Sequence, residues 1–466
     1  MNTSRPESGI VHLGIGAFFR AFGCIYIADA MEVSGGDWGV VGVSLRSPET
    51  RDALQSQDWR YTSVTLSPQG EQCRSIDVLN DILFAPDDPQ SVLEAMANPA
   101  IKIVSLTVTE KGYCHNPATG QLNDNHPDIQ HDLVHELPVS AIGYMVRALQ
   151  IRRKANLPPF TVLSCDNLPD NGKLVRKLVL ELAQHIDPSL HDWIAEQGSF
   201  PSTMVDRITP ATTDADIARV QELTGYQDAW PVLHEPFSQW VVEDKFVGGA
   251  RPDLAAVGAE MVGDVSAYEH MKLRMLNGTH SALAYTGYLA GYQTIAETVA
   301  DPVFERYARL LWTEIIATVT APPGVDLKAY ADALLVRYQN PKIHHRTWQI
   351  AMDGSQKLPQ RILNTVVENN QAHRNCDGLL LAIGAWMRYV GGIDEEGQPI
   401  DVRDPLSSTL ETLSASAGSP ADKVTALLSV SDVFSTDLVK ENQKSLIHAA
   451  QQLWSLGARK SIQQLL

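Results

Sequence analysis

Between Ile10 and Leu45 the chain reads as strand, tight turn, helix and strand in immediate succession, and few folds accommodate that order. Ile10-Val11-His12-Leu13 is an apolar run that breaks at Gly14-Ile15-Gly16. Ala17-Phe18-Phe19-Arg20 then begins residues of helical period, continued over 21–33, before Gly39-Val40-Val41-Gly42-Val43-Ser44-Leu45 supplies a second strand. A strand that turns on glycine into a helix start offers free backbone N–H groups and a helix dipole to a bound phosphate. The pattern predicts a dinucleotide site at Gly14, Gly16, Ala17, Phe18 and Arg20. Phe19 stands where the third glycine of the usual fingerprint falls, so the turn by itself would equally suit an ordinary strand-to-helix junction. The acid that grips an adenosine ribose is also missing, because Leu45 is followed by Arg46-Ser47-Pro48-Glu49. Arg46 can stack on adenine or meet a 2′-phosphate, so NAD is the expected cofactor and NADP the alternative.

The rest of the chain divides in two. Up to about Thr209, β-rich runs at 101–108 and 160–164 alternate with helical stretches at 141–154 and 173–185, which is the signature of an open parallel sheet. A strand-like stretch at 239–243 and a glycine and proline cluster at 248–252 close this region. From Ser266 the pattern turns to nearly continuous helix at 268–289, 302–318, 327–338, 356–370, 376–390 and 437–464, interrupted by Pro322-Pro323 and Gly391-Gly392. The fold class is α/β: an N-terminal Rossmann-like dinucleotide-binding domain over 1–265 and a mostly α-helical C-terminal domain over 266–466.

Composition narrows the partners. With 37 Lys+Arg against 55 Asp+Glu the net charge is −18, which opposes binding to nucleic acid or to an anionic membrane surface. Residues 1–8 are short and polar, and no 18-residue apolar run follows, so a cytoplasmic enzyme is expected. Cys24, Cys73, Cys114, Cys165 and Cys376 show no CxxC or Cys-His ligand spacing. His126, His131 and His135 alternate loosely with Asp124, Asp128 and Asp132; the stretch reads as a solvated face, and no metal is expected. Oligomeric state is not legible, a monomer being compatible with everything above.

Within the first helical stretch lies Lys272-Leu273-Arg274-Met275-Leu276-Asn277-Gly278-Thr279-His280. At α-helical pitch Asn277 lies about 140° and His280 about 80° around the axis from Lys272, so the three can look into one cavity. A lysine withdrawn from water can take an alcohol proton near neutral pH, an asparagine amide can polarise the carbonyl that forms, and an imidazole can orient either partner. The same spacing also fits an amphipathic helix with a solvated lysine and a satisfied core histidine.

These two stretches, with Ser105-Leu106-Thr107-Val108-Thr109-Glu110-Lys111-Gly112-Tyr113, Ser164-Cys165-Asp166-Asn167-Leu168 and Val205-Asp206-Arg207-Ile208-Thr209-Pro210, resemble the polyol-specific long-chain dehydrogenases, the mannitol dehydrogenase family, over nearly the whole chain. His345-Arg346-Thr347-Trp348-Gln349 running on to Arg361, and Gly384-Ala385-Trp386-Met387-Arg388-Tyr389, resemble the branch of that family acting on mannonate. The resemblance implies a metal-independent, NAD-dependent oxidoreductase with Lys272 as acid/base, Asn277 and Asn167 as amides around the reacting oxygen, and His280 on a substrate hydroxyl. Asp206 and Lys357 become substrate-side residues, and Thr109 and Glu110 cofactor-side ones. Each has a bland counterpart: a helix cap for Asn167, an ion pair for Asp206, a solvated loop for Lys357, a charged turn for Glu110. The implied site lies in the cleft between the carboxyl ends of the sheet strands and the helical domain.

Gln349 stands where mannitol-type relatives tend to carry arginine, which favours a sugar acid over a polyol. A carboxylated substrate requires a cation, for which Arg346, Arg361 and Arg388 are candidates because a planar guanidinium matches a carboxylate. His344 and Phe22 depart from the family pattern. Three functions remain open: interconversion of D-fructuronate and D-mannonate, a polyol 2-dehydrogenase, and a non-catalytic binding module on the same fold.

Overall fold

The computed structural model describes residues 5–116, 119–416 and 418–466. The chain folds as two compact units, 1–266 and 267–466.

The first unit is built on five parallel strands in the spatial order Leu79–Phe84, Gly39–Ser44, Ser8–Leu13, Ile103–Leu106, Thr161–Ser164. The strands read as unbroken apolar runs because helices cover both faces, and alternate residues of one strand enter different cores. Val11, Leu13, Val104 and Leu106 pack against the helices Ala141–Lys154 and Asn171–Ile186. Ile10 and Ile103 point the other way, against Ile15, Phe19 and Phe22. Two small sheets complete the unit. One joins Thr203–Asp206, Gln239–Glu243 and Glu260–Val262, and the other adds Val232–His234 to an antiparallel hairpin, Tyr61–Ser67 with Gly70–Ile76. The hairpin escapes sequence reading because Gly70–Ile76 is largely solvent-facing and polar.

The helix expected over 21–33 is in fact two, Ala17–Ala21 and Gly23–Ser34, broken at Phe22 (φ −128°, ψ −79°). The missing third glycine explains the break. Phe19 lies flat on His12 of the central strand at 3.3 Å between ring centroids, and a Cβ at Gly23 would overlap the Phe19 ring. Gly23 therefore provides, one turn later, the close helix packing that the absent glycine would have provided. His12 itself is satisfied by Ser105 Oγ at 2.8 Å and Thr107 Oγ1 at 2.9 Å, and burial pushes its imidazole down to about 3, so it is neutral.

The second unit is helical, around a core that includes Trp312, Tyr338 and Trp386. Leu327–Tyr338 and Asp377–Tyr389 match the sequence expectation closely, whereas 437–464 breaks at Gly457 (φ +83°) into Thr436–Leu456 and Ala458–Leu465. Ile295–Ala300, Ser407–Ser416 and Pro420–Leu427 are further helices that the apolar period did not single out. The main correction concerns helix type. The stretch from Ser266 to Leu289 is helical throughout, yet Lys272–Gly278 is π-helix set between α segments, and Pro359–Leu363 is a second π segment inside what was expected to be the plain helix 356–370. No helix of the described residues is long and apolar enough to cross a membrane.

Candidate active site

In the first unit most of the expected residues collect beyond the carboxyl ends of the parallel strands. Gly14–Gly16 follows the central strand, which pairs with Gly39–Ser44 on one side and Ile103–Leu106 on the other, the point where strand order reverses and an α/β sheet accepts a ligand. Gly14 has φ +89°, and a Cβ there would overlap the Thr107 carbonyl oxygen, so only glycine fits. Gly16 is exposed, with nothing closer to its would-be Cβ than Gly14 O at 3.8 Å. Bare backbone beside open space is a cradle that a side chain would fill, and it fits the pyrophosphate of a dinucleotide. Ala17 and Phe18 stand half-buried in the first helical turn.

Arg20, in the same turn, is tied to the protein itself. Its side chain is 1% exposed, donates to Trp230 O at 2.5 Å and stacks over Tyr61, whose hydroxyl donates to Arg20 O at 2.6 Å. These contacts tie the turn to the hairpin strand Tyr61–Ser67. Arg46 is exposed just past the second strand, as a residue reading the adenosine end requires.

Thr109 and Glu110 are exposed at the start of the short helix Thr109–Gly112 after the fourth strand of the sheet, with Thr109 in the left-handed region at φ +61°. A residue that sequence reasoning passed over holds them there. Asp166 is buried and accepts N–H groups from Thr109 (2.9 Å) and Val108 (3.0 Å) and the Tyr113 hydroxyl (2.9 Å). Burial raises its carboxyl above the ordinary range against the pull of these donors. Asn167 follows it, exposed at the end of the strand Thr161–Ser164, and Asp206 is buried at the end of Thr203–Asp206. The stretch 124–135 is not a uniformly solvated face, since Asp132 is fully buried and accepts the N–H groups of Val139 at 2.8 Å and Ser140 at 3.0 Å. Cys114, His126 and Asp128 bring ligand atoms within 4.8 Å of one another, and His126 Nδ1 is already the acceptor for Asp128 N–H at the head of the helix Pro127–Val134.

In the second unit Lys272 and His280 are buried and Asn277 half-buried. Residues five apart in an i→i+5 ladder stand to one another as residues four apart do in an α-helix, so the π segment brings Asn277 closer to the face of Lys272 than the α-helical estimate did. His280 stacks on Tyr338 at 4.6 Å and meets the edge of His345 at 4.9 Å. Burial drives the His280 imidazole well below its ordinary value, helped by His345, Arg337 and Arg361; burial and Lys357 push His345 down to about 4. Both rings are neutral at pH 7. His345 was not singled out from sequence, although it heads the His345–Gln349 block.

Lys357 is half-buried rather than solvated: it donates to Met352 O at 2.6 Å, and burial with the nearby Arg361 charge lowers it to about 8. Arg361, in the second π segment, donates to Ser281 Oγ at 3.1 Å, and its guanidinium is lowered by burial. Arg346 is exposed, with its backbone bridged to Thr294, and Arg388 is held by Glu395, Leu453 O and the Trp454 ring.

Comparison with known proteins gives the family. Residues 8–256 match the mannitol dehydrogenase Rossmann domain and residues 264–455 the mannitol dehydrogenase C-terminal domain. The chain belongs to the mannitol dehydrogenase family. It is similar to the D-mannonate oxidoreductase of Escherichia coli (strain K12), with 46% identity covering 98% of this chain and 96% of that protein. A mannitol 2-dehydrogenase of Aspergillus fumigatus is 40% identical over 93% of this chain and 87% of its own. The solved ternary complex of Pseudomonas fluorescens mannitol 2-dehydrogenase with NAD and D-mannitol superposes with a TM-score of 0.87 at 37% identity, covering 99% of this chain and 94% of that one. As a member of the mannitol dehydrogenase family the chain is an oxidoreductase of the alcohol dehydrogenase and reductase type.

Proposed function

We propose that this mannitol dehydrogenase family member is an NAD-dependent oxidoreductase interconverting D-fructuronate and D-mannonate. The Gly14–Gly16 turn with Thr109 and Glu110 would hold NAD, which when bound would supply the hydride acceptor or donor at the nicotinamide C4. Lys272 takes the hydroxyl proton as the alcohol is oxidised and gives it back as the ketone is reduced. The Asn277 amide donates to the reacting oxygen as it gains negative charge. His280, kept neutral by burial and by the cations around it, can both donate to and accept from a substrate hydroxyl. Asn167 and Asp206 are the first unit's own substrate-side residues in this reading.

The observation that carries the sugar-acid reading is Arg361. A guanidinium withdrawn from water is costly unless a counter-charge meets it, and among the described residues Arg361 forms no ion pair with a carboxylate. Lys357, already lowered by the same charge, adds to the positive field. A substrate carboxylate would meet the Arg361 guanidinium, beside a Lys357 that already has Asp353 at 4.0 Å, and of the three arginines considered from sequence Arg361 has the surroundings for it.

Steady-state kinetics on fructuronate and fructose with NADH test the assignment. We expect kcat/KM to favour fructuronate by on the order of 10³-fold, and Arg361→Ala to shrink the ratio by harming the acid substrate. Efficient turnover of fructose with none of fructuronate would transfer the assignment to a polyol 2-dehydrogenase, the activity for which the 40%-identical Aspergillus fumigatus relative is named.

A further inference from the structure

Lys272–Gly278 is wound as π-helix, a form that costs backbone hydrogen-bond quality and persists only where surroundings support it. The supports are visible. Where the wider ladder returns to α-helix, two carbonyls take donors from outside the helix, one of them, Leu276 O, in addition to the Thr279 N–H. Tyr338 Oη donates to Leu276 O at 2.9 Å, and Trp312 Nε1 donates to Met275 O at 3.1 Å. Both donors are buried, at 3% and 2% exposure, and come from separate helices, Leu327–Tyr338 and Pro302–Ile316. On the other side Gly278 admits the second π segment, because a Cβ there would stand 2.6 Å from Arg361 O. The Trp312, Tyr338 and His280 rings lie in one row, with centroids 6.1 Å and 4.6 Å apart. The side chains that satisfy the π carbonyls therefore also carry the face on which the imidazole rests.

We infer that Tyr338 and Trp312 are positioning residues for the reaction: their donors hold Lys272–Gly278 in its π form, and that form sets Lys272 and Asn277 relative to His280. Rewinding the segment as α-helix would carry Asn277 back around the axis from Lys272 and shift both against the imidazole, which remains seated on Tyr338. The inference rests on the reading of Lys272 and Asn277 as reacting-side residues and adds to it what keeps them in register.

Tyr338→Phe and Trp312→Phe test it, since each keeps an aromatic ring in the row and removes one donor. Expected are a ten- to hundredfold fall in kcat and a displaced pH profile of kcat, with the KM for NADH unchanged within about twofold. The double variant should fall by less than the product of the two, because both donors act on one segment. Gly278→Ala, which removes no donor but pushes the Arg361 carbonyl off the segment, should lower kcat in the same way. Wild-type kcat and pH profile in the two donor variants, beside an inactive Lys272→Ala, would overturn the inference while leaving the catalytic reading intact. Full turnover by Lys272→Ala would instead remove the catalytic reading on which it stands.

Discussion

The two units prepare their chemistry by opposite means. In the first, the candidate cofactor site is made of backbone: a glycine turn where a Cβ at Gly14 has no room, and N–H groups of Val108 and Thr109 pinned by Asp166. In the second, the candidate site is made of side chains on a helix whose form depends on donors from other helices, Tyr338 and Trp312, and on the neighbouring Arg361 segment. A backbone site is damaged by adding atoms, and a side-chain site by removing them. Losing a functional side chain leaves the scaffold standing, whereas a side chain at Gly14 disturbs scaffold and site together.

The largest expected effect lies in the second unit. Lys272→Ala should cut turnover by about 10²- to 10⁴-fold while NADH binding stays near wild type, as single-turnover hydride transfer and fluorescence titration would report. Turnover within about threefold of wild type, less than ~1 kcal/mol of barrier, would break the contrast by leaving the side-chain site without its acid/base.

Two glycines sharpen the other half. Gly14→Ala forces a side chain into the left-handed region and against the Thr107 carbonyl, so it should lose about 2–4 kcal/mol of stability in urea melts and bind NADH poorly. Gly16→Ala has φ −85° and open space, so its stability should stay within about 0.5 kcal/mol while NADH affinity falls tenfold or more. Undiminished NADH binding by Gly16→Ala would mean that the phosphates do not approach that backbone.

A smaller effect compares how the units bury charge. Glu314 accepts the N–H groups of Gly378 at 2.8 Å and Leu379 at 2.9 Å at the head of the helix Asp377–Tyr389, and burial raises its carboxyl from 4.5 to about 7. The folded state thus holds this proton more tightly than the unfolded chain. The contribution is complete below the unfolded value and is lost as pH rises through the folded one, on the order of 3 kcal/mol between about pH 4.5 and 7. Glu314→Gln should flatten that slope in pH-dependent denaturation. An unchanged slope would assign the pH dependence elsewhere, with Asp166, raised in the same direction in the first unit, the next residue to test.

Local sequence determined a good deal of this molecule. The strand, glycine turn and second strand from Ile10 to Ser44 announced the parallel sheet and its ligand-accepting edge, because β-propensity, the need for φ > 0 at Gly14 and the switch in hydrophobic period are all properties of neighbouring residues. The helices at 141–154, 327–338 and 377–389 were legible for the same reason. What the tertiary structure alone decided is everything that depends on a distant partner. Arg20 turns inward because Trp230 O and Tyr61 are there to receive it, and Arg361 is half-buried where Arg346 is exposed because the second π segment packs at Gly278. Lys272–Gly278 reads as ordinary α-helix in sequence, since hydrophobic period cannot register carbonyls that are satisfied by Trp312, 37 residues away, and Tyr338, 62 away. Sequence spacing therefore named Lys272, Asn277 and His280, but their angular relation was set by hydrogen bonds that only the folded chain can form.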